Sequence, residues 1–176
     1  METSATAAAW FLPAVVPISL WVAWSDMKAM RIPNLAVYAL LASFLVIGVF
    51  TMETADYLWR LPHVVVMLLV GMVLNALRLM GAGDAKFIAA AAPFVALGDW
   101  NILVFVYATA FLVCYALHRI AKHSPLRRLA PDWQSWSSGK RFPMGVALGA
   151  TLIGYLVLAL RPDWLAAILR LVMPAS

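Results

Sequence analysis

The feature that most constrains this chain is a succession of apolar stretches, each close to the length a helix needs to cross a membrane. Leu35 to Met52 runs for 18 residues without an Asp, Glu, Lys or Arg. A hydrocarbon core about 30 Å thick asks for roughly 20 such residues. Four more stretches come close, at about 7–25, 61–77, 102–117 and 144–160. A sixth, 84–98, is apolar but short, and its 15 residues make only about 22 Å of helix. With 65% of residues hydrophobic and 12% charged, a soluble domain of this size could not hide its apolar side chains. The fold expected is an all-α integral membrane protein, a six-helix transmembrane bundle forming a single domain over residues 1–176. The tail from Pro162 to Met173 mixes charged and apolar residues and reads as a short C-terminal helix lying in the interface. Cys114 is the one cysteine, so no internal disulfide or thiolate metal cluster is available, and no metal or cofactor is expected.

Charge gives an orientation. Glu2 is the only charged residue before Asp26, so the basic start of a cleaved signal peptide is missing and the first segment reads as retained. With six spans, Lys28, Arg31, Arg78, Lys86, Arg119, Lys122, Arg127, Arg128, Lys140 and Arg141 fall on the odd connections, against Arg60, Arg161 and Arg170 on the other side. By the positive-inside rule the odd connections are cytoplasmic and both termini lie outside. The excess of positive charge is then a topology signal, and no nucleic-acid partner is needed to explain it. Trp10, Trp24, Trp59, Trp100 and Trp164 fall near span ends, as an interfacial belt does. The long connection from His118 to Phe142, with Trp133 and Trp136, reads as a basic loop lying on anionic lipid. His63 and Cys114 are isolated, and Asn75 and Arg78 read as packing and snorkelling residues.

Two short connections on the basic side each hold one acid at a helix end. Asp26 closes the first span at its carboxyl end, where the helix dipole disfavours a carboxylate. Asp84 falls at or near the N-cap of the fourth helix, where the dipole favours one. Because that helix is short, Asp84 is expected below the membrane surface, and an ionisable group there is a functional signal. Gly81 and Gly83 permit positive φ and close approach of another backbone, such as an extended peptide. Two carboxylates in a partly desolvated site share a proton and can act as general base and general acid on a peptide bond. Helix-end position alone makes Asp84 the readier base and Asp26 the protonated partner.

The segment Asp26 to Arg31-Ile32-Pro33-Asn34, followed by Gly81-Ala82-Gly83-Asp84-Ala85-Lys86, resembles the type IV prepilin peptidases, membrane aspartic proteases of the GxGD kind. Lys140 to Gly145 is similar to that family's Pro-x-Gly segment entering the last span. The resemblance implies cleavage of a prepilin or pseudopilin precursor at the cytoplasmic face of a bacterial inner membrane, just before the precursor's hydrophobic helix. Asp26 and Asp84 would be the catalytic pair, with Gly81, Gly83, Lys86, Arg31, Pro33 and Asn34 as motif residues around them. Larger members carry a Cys-x-x-Cys insertion and a methyltransferase activity. This sequence has neither feature, which implies the short peptidase-only form associated with tight-adherence (Flp) pili, without methylation and without zinc. The partners implied are the precursor peptide and the lipid bilayer, with self-association left open.

Several residues also have plainer readings. Lys28, Arg31 and Lys86 serve equally as positive-inside charges, and Arg31 or Lys86 could instead sit near the carboxylates. Pro33 and Asn34 most simply break and cap the second span, with Asn34 also able to contact the catalytic segment. Gly145 and Gly149, four residues apart, read first as internal helix packing and second as a docking face. Three other functions stay open: a presenilin-like protease cutting within transmembrane helices, a small transporter using Asp26 and Asp84 for protons or cations, and a scaffold without chemistry.

Overall fold

A computed structural model describes residues 1–139 and 141–172, and every regular element in them is helical. Eight helices follow in chain order: α1 (Ala5–Ala29), α2 (Asn34–Thr51), α3 (Thr54–Ala76), α4 (Ala82–Ala91), α5 (Trp100–His123), α6 (Gln134–Ser137), α7 (Met144–Leu160) and α8 (Pro162–Val172). Lys140 of the Pro-x-Gly segment and Met173 at the end of the expected tail lie outside the described residues. Four elements are long and apolar enough to cross a membrane: α1, α2, α3 and Leu97–His123, which is α5 with the turn before it. A fifth candidate is α7 taken together with Pro162–Ile168, across a bend of 106°. The chain is a membrane protein, and its exposed Trp10, Trp24, Trp59, Trp100 and Trp164 fit the expected belt.

The expected fourth span, 84–98, is not one helix. It consists of α4 and two short 3-10 turns, Ala92–Phe94 and Leu97–Asp99. Pro93 supplies the reason, because it lacks an N–H and its ring clashes with the carbonyl four residues back. The basic loop is also more ordered than expected. α5 continues to His123, the chain makes a 3-10 turn at Pro125–Leu129, and α6 folds back towards α1. Trp136 stacks on His118 with ring centroids 5.3 Å apart, and its indole N–H donates to the Ala130 carbonyl at 2.8 Å. Trp136 is therefore buried against protein instead of lying on lipid.

The core is organised by α7, which packs antiparallel to α1. Gly145 lies against Asp26, Gly149 against Ser19, and Tyr155 against Thr3. A methyl group on Gly149 would come within 3.1 Å of the Ser19 carbonyl, so this glycine sets how close the two backbones lie. Phe11, Phe44 and Phe94 fill the space between α1, α2 and the turn after α4 with edge and stacked contacts. On the other flank α3 docks on α4, where a Cβ on Gly71 would stand 2.7 Å from that of Ala85. α3 is thus held against the first turn of α4, which carries Asp84.

One end of the bundle is tied by a polar knot. The Asp99 carboxylate accepts from the backbone N–H of Glu2 at 2.9 Å, from that of Thr3 at 3.3 Å and from the Tyr155 hydroxyl at 2.7 Å. Arg60, only 2% exposed, donates to Thr3 Oγ1, to the Phe94 carbonyl and to Asp56. These contacts join the start of α1, the start of α3, the turn before α5 and the middle of α7. The two motif aspartates lie at the opposite end.

Candidate active site

Asp26 sits in the last turn of α1 and is 6% exposed. The helix ends at Met30, whose φ of 51° places a non-glycine residue in the left-handed region and sends the chain back over the site. The Ser25 hydroxyl donates to the Arg31 carbonyl at 2.9 Å and fixes that turn. The backbone N–H of Gly145, in the first turn of α7, donates to Asp26 Oδ2 at 2.7 Å. A carboxylate at the unfavourable end of its own helix is therefore placed at the favourable end of another. Gly145 is required for that approach, since a Cβ there would stand 3.0 Å from Oδ2 and 3.1 Å from the Asp26 Cβ.

Asp84 is the third residue of α4, after Gly81 at the N-cap, and is half-buried. A Cβ on Gly81 would come within 2.7 Å of Asp84 Oδ2, so the missing side chain leaves room for the carboxylate to fold back over the helix start. Gly83 faces Ile32, and a Cβ there would lie 3.3 Å from the Ile32 Cβ. Positive φ, which Gly81 and Gly83 were expected to supply, is not used: Gly81 has φ −68°, and the left-handed residues near the site are Met30 and Arg78. These glycines act by close approach. The 77–81 turn is braced by Asn75, whose side-chain amide donates to the Met80 carbonyl at 2.9 Å, a stronger role than the packing expected of it.

The two segments meet through Ile32 on Gly83 and through Lys86, whose ammonium donates to Asn34 Oδ1 at 3.1 Å. Asn34 therefore does not cap α2. The cap position is taken by Pro33, no side chain completes it, and Asn34 instead tethers the Asp84 helix. Lys86 forms no ion pair with either aspartate among the described residues, and the exposed Arg31 takes part only through its carbonyl. Asp26 and Asp84 lie within electrostatic reach of one another, and Asp84 is also within reach of the Tyr107 phenol on α5. Among the described residues no group of three or more His, Cys, Asp or Glu is placed to hold a metal ion.

A family model described as the type IV leader peptidase family matches residues 14–118, which include both aspartates and the whole Gly81–Lys86 segment. The chain belongs to that family. Searches of characterised proteins and of solved structures gave no match. Membership in a leader peptidase family makes the chain a peptidase. The matched segment ends at His118, so Gly145, the donor to Asp26, comes from beyond it. In the sequence Gly145 reads as packing, like Gly149, and the only other signal for it was the resemblance of the Pro143-x-Gly145 segment. For Tyr107 the sequence carried no signal.

Proposed function

We propose that this leader peptidase is an aspartic endopeptidase that uses Asp26 and Asp84 to remove the basic leader from prepilin-like precursors. The observation that supports this most directly is that the segments carrying the two carboxylates, the end of α1 with its turn and the start of α4, are joined through Ile32 on Gly83 and Asn34 on Lys86 at one end of the bundle. One carboxylate of the pair takes a proton from water as the water oxygen adds to the scissile carbonyl. The protonated partner gives its proton to the carbonyl oxygen. Collapse of the tetrahedral intermediate then breaks the C–N bond, with a proton passing to the leaving amine. The expected division of labour rested on a contrast between helix ends. With the N-terminus of α7 against Asp26 that contrast is gone, and the pair is treated as one titrating unit.

The site faces the cytoplasm of a bacterial inner membrane in this proposal, with six membrane crossings and both termini outside. Placement of Lys28, Arg31, Arg78 and Lys86 on the connections beside the aspartates supports that orientation. A precursor with a basic leader and an apolar helix inserts the same way round, which brings its scissile bond to the level of the dyad. The form proposed is the short, peptidase-only one that serves tight-adherence pili. The test is co-expression of a candidate prepilin with wild type, Asp26→Asn and Asp84→Asn, following precursor size. Processing by wild type alone supports the dyad; processing that persists in either variant overturns it.

A further inference from the structure

Beyond α5, at the same end of the bundle as the aspartates, lies an open hollow of about 550 Å³ lined by Lys122, His123, Ser124, Pro125, Arg127 and Arg128. No acid lines it. Arg127 and Arg128 are exposed and make no ion pair or side-chain hydrogen bond among the described residues, while Lys122 donates only to the Gly139 carbonyl at 3.1 Å. Asp132 lines the adjoining hollow with Arg127, Trp133 and Trp136. With three cations against one neighbouring acid, the hollow keeps an excess of positive charge that attracts an anion, and the surroundings say which kind. Leu126 is 57% exposed and Leu129 84% exposed on the same turn. Leu117 and Ile120, in the last two turns of α5, are exposed as well. A soluble anion would have no use for the leucines.

We propose that this hollow binds the phosphate headgroup of an anionic phospholipid, with Lys122, Arg127 and Arg128 on the phosphate and an acyl chain lying along Leu117, Ile120 and Leu129. The site is separate from the aspartate pair, and the inference does not depend on the proteolytic reading. Bound there, the lipid braces the loop that folds α6 back on α5 and leads into the first turn of α7.

The test is native mass spectrometry of the full chain in detergent, titrated with dioleoylphosphatidylglycerol and, separately, with dioleoylphosphatidylcholine. Arg127→Gln/Arg128→Gln is expected to weaken phosphatidylglycerol binding about 25-fold, at about fivefold for each charge removed. Arg127→Lys/Arg128→Lys keeps the charge and is expected to stay near wild type, which guards against a folding defect as the cause. Arg161→Gln, a basic residue paired with Asp163 elsewhere on the surface, is expected to change nothing. Leu129→Ser is expected to weaken the lipid while leaving glycerol 1-phosphate unaffected. Wild-type binding by the double Gln variant, equal binding of phosphatidylcholine, equal loss in Arg161→Gln, or glycerol 1-phosphate competing as tightly as the lipid would each overturn the site.

Discussion

The two ends of the α1–α7 pair hold the same chemical group in opposite ways. At one end Asp99 is buried and saturated, accepting from two backbone N–H groups and a tyrosine hydroxyl. At the other end Asp26 is equally buried but accepts one hydrogen bond among the described residues, from Gly145. A carboxylate has room for about four donors. The saturated one has its lone pairs committed to holding elements together. The under-filled one keeps acceptor capacity for water or substrate, at a desolvation cost that folding alone gives no reason to bear. Burial therefore does not distinguish the structural carboxylate from the one proposed to react, whereas donor count does.

The sharpest way to break this contrast is to neutralise each end. Asp26→Asn or Asp84→Asn is expected to lower precursor cleavage by at least about 10²–10⁴-fold, the range for losing a general acid or base. Their thermal midpoints should remain close to wild type. Asp99→Ala is expected to do the reverse. It strands the buried Thr3 N–H and takes a partner from the exposed Glu2 N–H and from the Tyr155 hydroxyl, which keeps Thr3 Oγ1, costing about 1–3 kcal/mol of stability. Cleavage per folded molecule should be unchanged. Unfolding in mixed micelles and a gel assay on the same preparations read both quantities, and an Asp99→Ala protein that is stable but inactive would reverse the assignment of the two ends.

Smaller effects sharpen the comparison within α7. Gly145→Ala puts a methyl group 3.0 Å from Asp26 Oδ2, and is expected to reduce cleavage about tenfold, worth about 1.4 kcal/mol, with little change in substrate affinity. Gly149→Ala meets the Ser19 carbonyl instead and is expected to cost about 1–3 kcal/mol of stability by overpacking, with cleavage per folded molecule retained. Equal kinetic losses in the two variants would remove the special role of Gly145. Lys86→Met breaks the exposed contact with Asn34 and is expected to change stability by no more than about 1 kcal/mol, with a modest rise in KM measuring how far the two motif segments drift apart.

Asp26 and Asp84 stood out in the sequence because charge is rare in this chain and both acids fall in short basic connections with unusual neighbours, and the structure places both at one end of the bundle. The extent of α7 was legible too, since it coincides with the apolar stretch 144–160, whereas α1, α3 and α5 run on beyond theirs into polar residues. What could not be read depends on partners far away in sequence. Gly145 and Gly149 look alike as letters, and only the tertiary pairing makes one a donor to Asp26 and the other a packing notch. Asn34 has the composition of a cap, yet its amide oxygen is drawn to Lys86, 52 residues away. Glycine suggested left-handed turns at 81 and 83, but the chain makes those turns at Met30 and Arg78, where capping hydrogen bonds offset a local cost of about 1–2 kcal/mol. The break in the fourth span had its cause in plain view at Pro93, inside a stretch otherwise uniform in hydrophobicity.

The hydrogen bond between Gly145 and Asp26 joins residues 119 positions apart. At about 5–20 residues per second, the ribosome delivers the second partner roughly 6–24 s after the first. For that interval the newly made chain carries both aspartates but lacks the α7 terminus that seats one of them. Under the proposed chemistry, the site is thus incomplete until the last of the long helices has been made.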